Sequence, residues 1–245
     1  MNRNLWPSGI KALDAALKGG FARPANFLVV GAPLSAKREV GMVLLNGGLE
    51  RGEAVIYVST SHSAEEIRAR WAECGFELDW EQDGRVKFVD CYSKMLGATA
   101  APDTPSIRRV PSILDYTKLA VTVNEWCHGY ALKNTRVRLL LDSLSVFLIY
   151  SSLQTVMRFL HVFLGQLRKQ SVLGFFLLEE GAHESVTFNQ LKTFSNGAIR
   201  LNQNSDALQL EGCLESAHAP IPFRLPCSKI VEMQQSSFPV DCNNR

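Results

Sequence analysis

The stretch Gly31-Ala32-Pro33-Leu34-Ser35-Ala36-Lys37-Arg38 constrains this chain more than any other. It follows the apolar run Phe27-Leu28-Val29-Val30 and precedes Glu39-Val40-Gly41-Met42-Val43-Leu44-Leu45-Asn46-Gly47-Gly48, which fits a helix ending at a Gly pair. Strand, turn and helix form the setting of a phosphate-binding loop, whose pattern is G-x-x-x-x-G-K-[ST]. Lys37 is in place, but Ala36 stands where the second glycine belongs and Arg38 where the Ser/Thr belongs.

Both departures have chemical consequences. Such a loop wraps phosphates with successive backbone N–H groups and a helix N-terminus. A Cβ at a left-handed position costs roughly 1–2 kcal/mol, so Ala36 is expected to handicap the loop without abolishing it. Arg38 matters more: Mg²⁺ takes small oxygen ligands in octahedral geometry, and a guanidinium has only donors. Two cations at a helix start oppose the helix dipole, so Lys37 and Arg38 call for an anion or carboxylate partner.

The bulk properties set broad limits. A length of 245 residues suits one large α/β domain or two small ones. A net charge of +2 gives no case for nucleic acid or acidic membrane. No apolar run reaches the roughly eighteen residues of a membrane helix; the nearest, Leu139 to Tyr150, is broken by Asp142. The first residues lack the apolar core of a signal peptide, and a cytoplasmic location is expected. Cysteines stand at 74, 91, 127, 213, 227 and 242, none in a C-x-x-C pair. Reduced thiols are therefore expected rather than zinc ligands.

Periodicity fills in the elements. A short helix is expected over 9–18, opened by Ser8, and another from Ser63 through Trp71. Buried strands are expected over 54–59, 86–90, 136–141 and 172–178, and helices over 114–130 and 154–169. In the last of these, Val156, Phe159, Leu160, Phe163 and Leu167 form one apolar stripe. Residues 93–112 read as a long loop, 198–201 and 207–210 as short strands, and the tail after Glu232 as loose. The expected organisation is one domain over 1–232 with a polar tail at 233–245. Alternating strands and helices imply a mainly parallel sheet with covered faces. Ligands then sit at the carboxyl ends of the strands, where the loop at 31–38, Ser61-His62, Asp142 and Glu179-Glu180 all fall.

The ordered set Ser8-Gly9-Ile10-Lys11-Ala12-Leu13-Asp14, the loop, Phe88-Val89-Asp90-Cys91-Tyr92-Ser93, Leu139-Leu140-Leu141-Asp142-Ser143-Leu144-Ser145, Leu178-Glu179-Glu180-Gly181 and Asn196-Gly197-Ala198-Ile199 resembles the KaiC/RadA-type branch of the RecA-like P-loop ATPases. The resemblance covers roughly residues 5–225. It implies a three-layer α/β fold, with a mainly parallel central sheet flanked by helices and short antiparallel C-terminal strands. It also implies an ATP site over Gly31, Ala32, Pro33, Leu34, Ser35, Ala36, Lys37 and Arg38, with Asp142 as the Walker B acid.

By the same resemblance three catalytic parts are missing. Arg38 cannot ligate Mg²⁺. Ser61-His62 stands where the family carries a water-activating Glu. Gly212 and Leu214, beside Cys213, stand where a Lys-x-Arg finger would reach a neighbouring subunit's phosphate. The losses share one role, so the expected function is a non-hydrolysing regulatory or scaffold pseudo-ATPase. ATP binding would be weak and Mg²⁺ binding doubtful, with no catalytic residue and no metal ligand. A metal-independent ATP-binding switch is the alternative; a DNA recombination accessory using Arg108-Arg109 is a second. A protein partner or homo-oligomer is expected, and neither nucleic acid nor membrane. An unpaired Asp142 would be costly, so Arg38 or Lys37 should pair with it and fill the space of the metal.

Overall fold

The structure, a computed structural model, describes residues 5–22, 25–76, 82, 84–97, 101–202, 207–212 and 221–222. Helix α1 (Lys11–Ala16) precedes strand β1 (Ala25–Gly31) and helix α2 (Lys37–Leu49). The chain then alternates through β2 (Ala54–Ser59), α3 (Ala64–Glu73), β3 (Val86–Asp90), β4 (Ile107–Arg109), α4 (Tyr116–Leu132) and β5 (Val137–Asp142). Helices α5 (Leu144–Tyr150) and α6 (Leu153–Lys169), β6 (Leu173–Glu179), α7 (Ser185–Lys192), β7 (Gly197–Leu201), β8 (Ala207–Glu211) and β9 (Ile221–Pro222) follow. The strands form one sheet in the order β4-β3-β2-β5-β6-β1-β7-β8-β9. Pairings from β4 to β7 are parallel, while β7–β8 and β8–β9 are antiparallel.

Strand pleating sorts the side chains into two cores. Phe27 and Val29 of β1, with Val55 and Tyr57 of β2, pack with α1, α2 and α3 on one face. Leu28 and Val30, with Ile56 and Val58, pack with α4, α5, α6 and α7 on the other. Both faces are covered, which is why β1, β2 and β5 are buried at every residue. The predicted stripe of α6 is buried at Val156, Leu160, Phe163 and Leu167; Phe159 is half-buried and stacks on Tyr116 and Phe163. Helix α3 opens with a full capping box between Ser63 and Glu66.

Several expectations are corrected. The Gly pair does not end α2, which runs through Gly47 and Gly48 to Leu49. A Cβ on Gly47 would lie 2.5 Å from the Ser8 carbonyl oxygen and 2.8 Å from Gly9 Cα, and one on Gly48 would lie 2.5 Å from Arg138 Nε. The pair is there for close approach, not termination. Arg138 is fully buried in β5 and binds Glu53 at 2.6 Å and the carbonyls of Leu44 and Pro7. Ser8 is not the cap of α1; its Oγ accepts from Ile10 N, and the helix starts at Lys11. The segment 93–112 is not wholly a loop, because it contains a 3-10 turn at Ser93–Leu96 and the edge strand β4. Helices α5 and α7 are short and weakly patterned, and periodicity does not predict them. The tail at 233–245 lies outside the described residues. Among the described residues, no helix is long and apolar enough to cross a membrane.

Candidate functional site

The carboxyl ends of β1, β2, β5 and β6 bring the loop at 31–38, Ser61-His62, Asp142 and Glu179-Glu180 to one rim. Register explains it: Gly31 lies opposite Glu179, and Ser59 opposite Asp142. Thr60 ties the strand ends together. Its backbone N–H and its hydroxyl both donate to the Asp142 carbonyl, and its Oγ1 accepts from Ser143 N.

Both loop cations meet carboxylates. Arg38 Nε lies 2.5 Å from Asp142 Oδ2, with a longer contact from its Nη2 to Oδ1 at 3.5 Å. Tyr57 Oη donates to the same Oδ2 at 2.7 Å. The expected pairing of a loop cation with Asp142 is therefore made by Arg38. Lys37 Nζ turns the other way, 2.6 Å from Glu179 Oε2 and 3.0 Å from the carbonyl oxygen of Ala32 in its own loop. Next after Arg38, Glu39 accepts from Arg70 Nε of α3 at 2.8 Å. Three adjacent charges at the start of α2 thus each have an opposite partner on a different element.

The electrostatics follow from burial and these pairs. Burial is the largest single influence and works against the charge on Arg38, but Asp142, Tyr57 and Glu39 together outweigh it, and the guanidinium is held protonated more firmly than usual. Burial, then the neighbouring Asp142 charge, pushes the Tyr57 hydroxyl well above its ordinary range, so it stays a neutral donor. Burial, then the Arg38 charge, lowers His62. Its Nδ1 is 3.0 Å from Ser61 Oγ, and its backbone N–H donates to Ser59 Oγ.

These residues do not suit Mg²⁺. Asp142 Oδ2 accepts from both Arg38 and Tyr57, and position 38 offers donors only. Among the described residues no group of three or more His, Cys, Asp or Glu could hold a metal ion. The loop backbone also differs from expectation. Ala36 sits at φ −75°, so its Cβ costs nothing there; the left-handed residue is Leu34, at φ 61° and almost fully exposed. Arg108 and Arg109 are split: Arg108 faces outward, while Arg109 is buried against Glu65 and the Pro102 carbonyl. Gly212 has φ 71° and no side chain to offer; Leu214 and Cys213 lie outside the described residues.

Sequence reasoning missed Tyr57, Glu39 and Arg70. Tyr57 left a signal, since a tyrosine inside a fully apolar strand must find a partner for its hydroxyl.

Residues 24–201 match the family described as "Family of unknown function (DUF7504)". The chain belongs to that family. This DUF7504 member is 25% identical over 107 residues to the UPF0273 protein PAE3143 of Pyrobaculum aerophilum, covering 43% of this chain and 38% of that one. It is 24% identical over 113 residues to a UPF0273 protein of Thermotoga maritima, covering 46% and 47%. The matched stretch thus spans less than half the length of these relatives. Among solved structures, the DUF7504 chain superposes on the KaiC-like protein PH0186 of Pyrococcus horikoshii with a TM-score of 0.67 at 18% identity, covering 90% of this chain and 94% of that one. The protein PH0321 of the same organism, in complex with an unknown peptide, gives 0.65 at 16% identity, covering 84% and 89%. The fold is KaiC-like and RecA-like.

Proposed function

We propose that this chain is a regulatory or scaffold protein that keeps a KaiC-like fold and does not hydrolyse ATP. The observation that carries the reading is the Arg38–Asp142 pair with Tyr57 on the same oxygen. It puts a fixed cation where a loop hydroxyl and a metal would stand, and it leaves Asp142 satisfied without one. With Arg38 donating at the position of a metal ligand, no carboxylate at Ser61-His62 and Lys37 turned onto Glu179, these residues do not offer the charge stabilisation that phosphoryl transfer needs. The neighbour PH0321 is described with a bound peptide, which supports seeking a protein partner or a second copy of the chain.

The test is calorimetric titration with ATP, run with Mg²⁺ and again with chelator. The expected result is no heat up to millimolar ATP, or weak binding that chelator leaves unchanged. Strictly Mg²⁺-dependent binding with turnover would overturn the proposal. A metal-independent ATP switch is the second reading. It is favoured by the Lys37–Glu179 pair, whose carboxylate is 29% exposed and open to replacement by a phosphate. It requires that Lys37→Ala abolish ATP binding.

A further inference from the structure

We infer that Asn26 holds a single buried water molecule, which ties the foot of β1 to the turn between α7 and β7. Asn26 shares its face of β1 with the apolar Leu28 and Val30, and it is 1% exposed. Its backbone is engaged: the N–H donates to Asn196 Oδ1 at 2.8 Å, and the carbonyl accepts from Asn196 N at 2.7 Å. Its side-chain amide is not. Nδ2 and Oδ1 are both buried, and neither has a hydrogen-bond partner in the protein. Exchanging the two ends of the amide changes nothing, because both are unpartnered. An amide buried without hydrogen bonds is costly, yet the sheet makes room for this one. Gly174 lies opposite on β6, and a Cβ there would stand 2.6 Å from Asn26 Oδ1.

Size selects the guest. The pocket that Asn26 lines measures about 10 Å³. One water needs roughly 10–15 Å³, so nothing larger fits. The walls are leucine and phenylalanine side chains, among them Leu28, Leu160, Leu164, Phe176 and Phe194, and they offer the amide no partner. No charged residue lines the pocket, so an ion would be buried without a counter-charge. Ser195 is the other polar lining residue. Its Oγ donates to the Lys192 carbonyl at 3.0 Å and can still accept. The two bonds between Asn26 and Asn196 bring it beside the amide. The water accepts from Asn26 Nδ2 and donates to Ser195 Oγ. Two protein partners lie within the range of buried waters.

The test is NMR of the full chain in water, read at the side-chain NH₂ protons of Asn26. They should show cross-peaks to water whose NOE and ROE have opposite signs, as a water held in place gives. Cross-peaks of equal sign would mean proton exchange with solvent, and they or no cross-peak at all would overturn the inference. Oxygen-17 relaxation dispersion counts the long-lived waters. Asn26→Leu, close in volume and without polar atoms, should lower its amplitude by one water, and an unchanged amplitude in the folded variant would overturn the site. Ser195→Ala removes only the second partner. It should shorten the stay of the water and weaken the cross-peaks at Asn26, and cross-peaks of full strength would remove Ser195 from the site. None of these readouts involves ATP, so the proposed function can fail while this site stands.

Discussion

Asp142 is only about 4% exposed at its side chain, and Arg38 and Tyr57 both donate to its carboxylate. Removing one member of a buried pair costs roughly 3–5 kcal/mol, because the other is left uncompensated. Arg38 is about a fifth exposed and Tyr57 would remain, so Arg38→Ala should cost about 2–3 kcal/mol, read by urea unfolding. Adding Asp142→Asn to that variant should recover part of the loss, because the stranded charge is gone. Full additivity of the two substitutions would mean the pair does not act as a unit. Much of this site was legible in the chain. Two loop cations near the acid that closes the strand at 136–141 implied that Arg38 or Lys37 would pair with Asp142. The division of labour between the two cations was not legible, since it depends on Glu179 lying opposite Gly31 in the sheet.

At the scale of elements, α2 and α4 treat glycine in opposite ways. Helix propensity alone favours Ala over Gly by about 1 kcal/mol. A Cβ on Gly129 in α4 would meet nothing within 4 Å, so Gly129→Ala should stabilise by up to about 1 kcal/mol. A Cβ on Gly47 would have backbone atoms of Ser8 and Gly9 within 3 Å. Gly47→Ala should therefore destabilise, by about 1–3 kcal/mol as overpacking does. Thermal unfolding of the two variants compares them directly, and a gain for both would remove the close-approach account of the pair. Composition shows the two glycines alike; only the neighbour that α2 meets separates them. The cap of α3 is the opposite case. Its Ser63-x-x-Glu66 pattern stood in the sequence and formed as read, and Ser63→Ala should cost about 1 kcal/mol.

For the whole molecule, acid should lower the stability of the fold in two stages. His62 and His183 both lie below the ordinary histidine value of 6.5 in the folded state, chiefly through burial. The unfolded chain therefore binds more protons in this range. The stability they contribute is complete above pH 6.5 and is lost as pH falls through their folded values. Glu66 is lowered by hydrogen bonds from Ser63. Burial works against the charge on Glu211, but the hydrogen bonds and charges of Lys192 and Arg200 together outweigh it and lower the group. Their contribution is complete above the ordinary 4.5 and is lost only at lower pH. Urea unfolding from about pH 7.5 to about pH 3.5 checks this. The double variant His62→Gln, His183→Gln should flatten the first stage and leave the second. A stability that rises from about pH 7 to about pH 5 would contradict both assignments.

Local pattern carried the parallel core, the loop and the order of motifs in this sequence. Apolar runs of strand length and helical spacing determine which segments bury which faces, whatever the neighbours. The antiparallel end formed where the short runs at 198–201 and 207–210 were read as strands. What local pattern does not carry is contact between segments far apart in the chain. The three-residue strand β4, the short helices α5 and α7, and the passage of α2 through a Gly pair were all decided by packing and sheet register. So were the assignment of Lys37 to Glu179 rather than Asp142, and the small pocket around Asn26. In each, the deciding partner lies on another strand or helix, and its distance is fixed only once the sheet has formed.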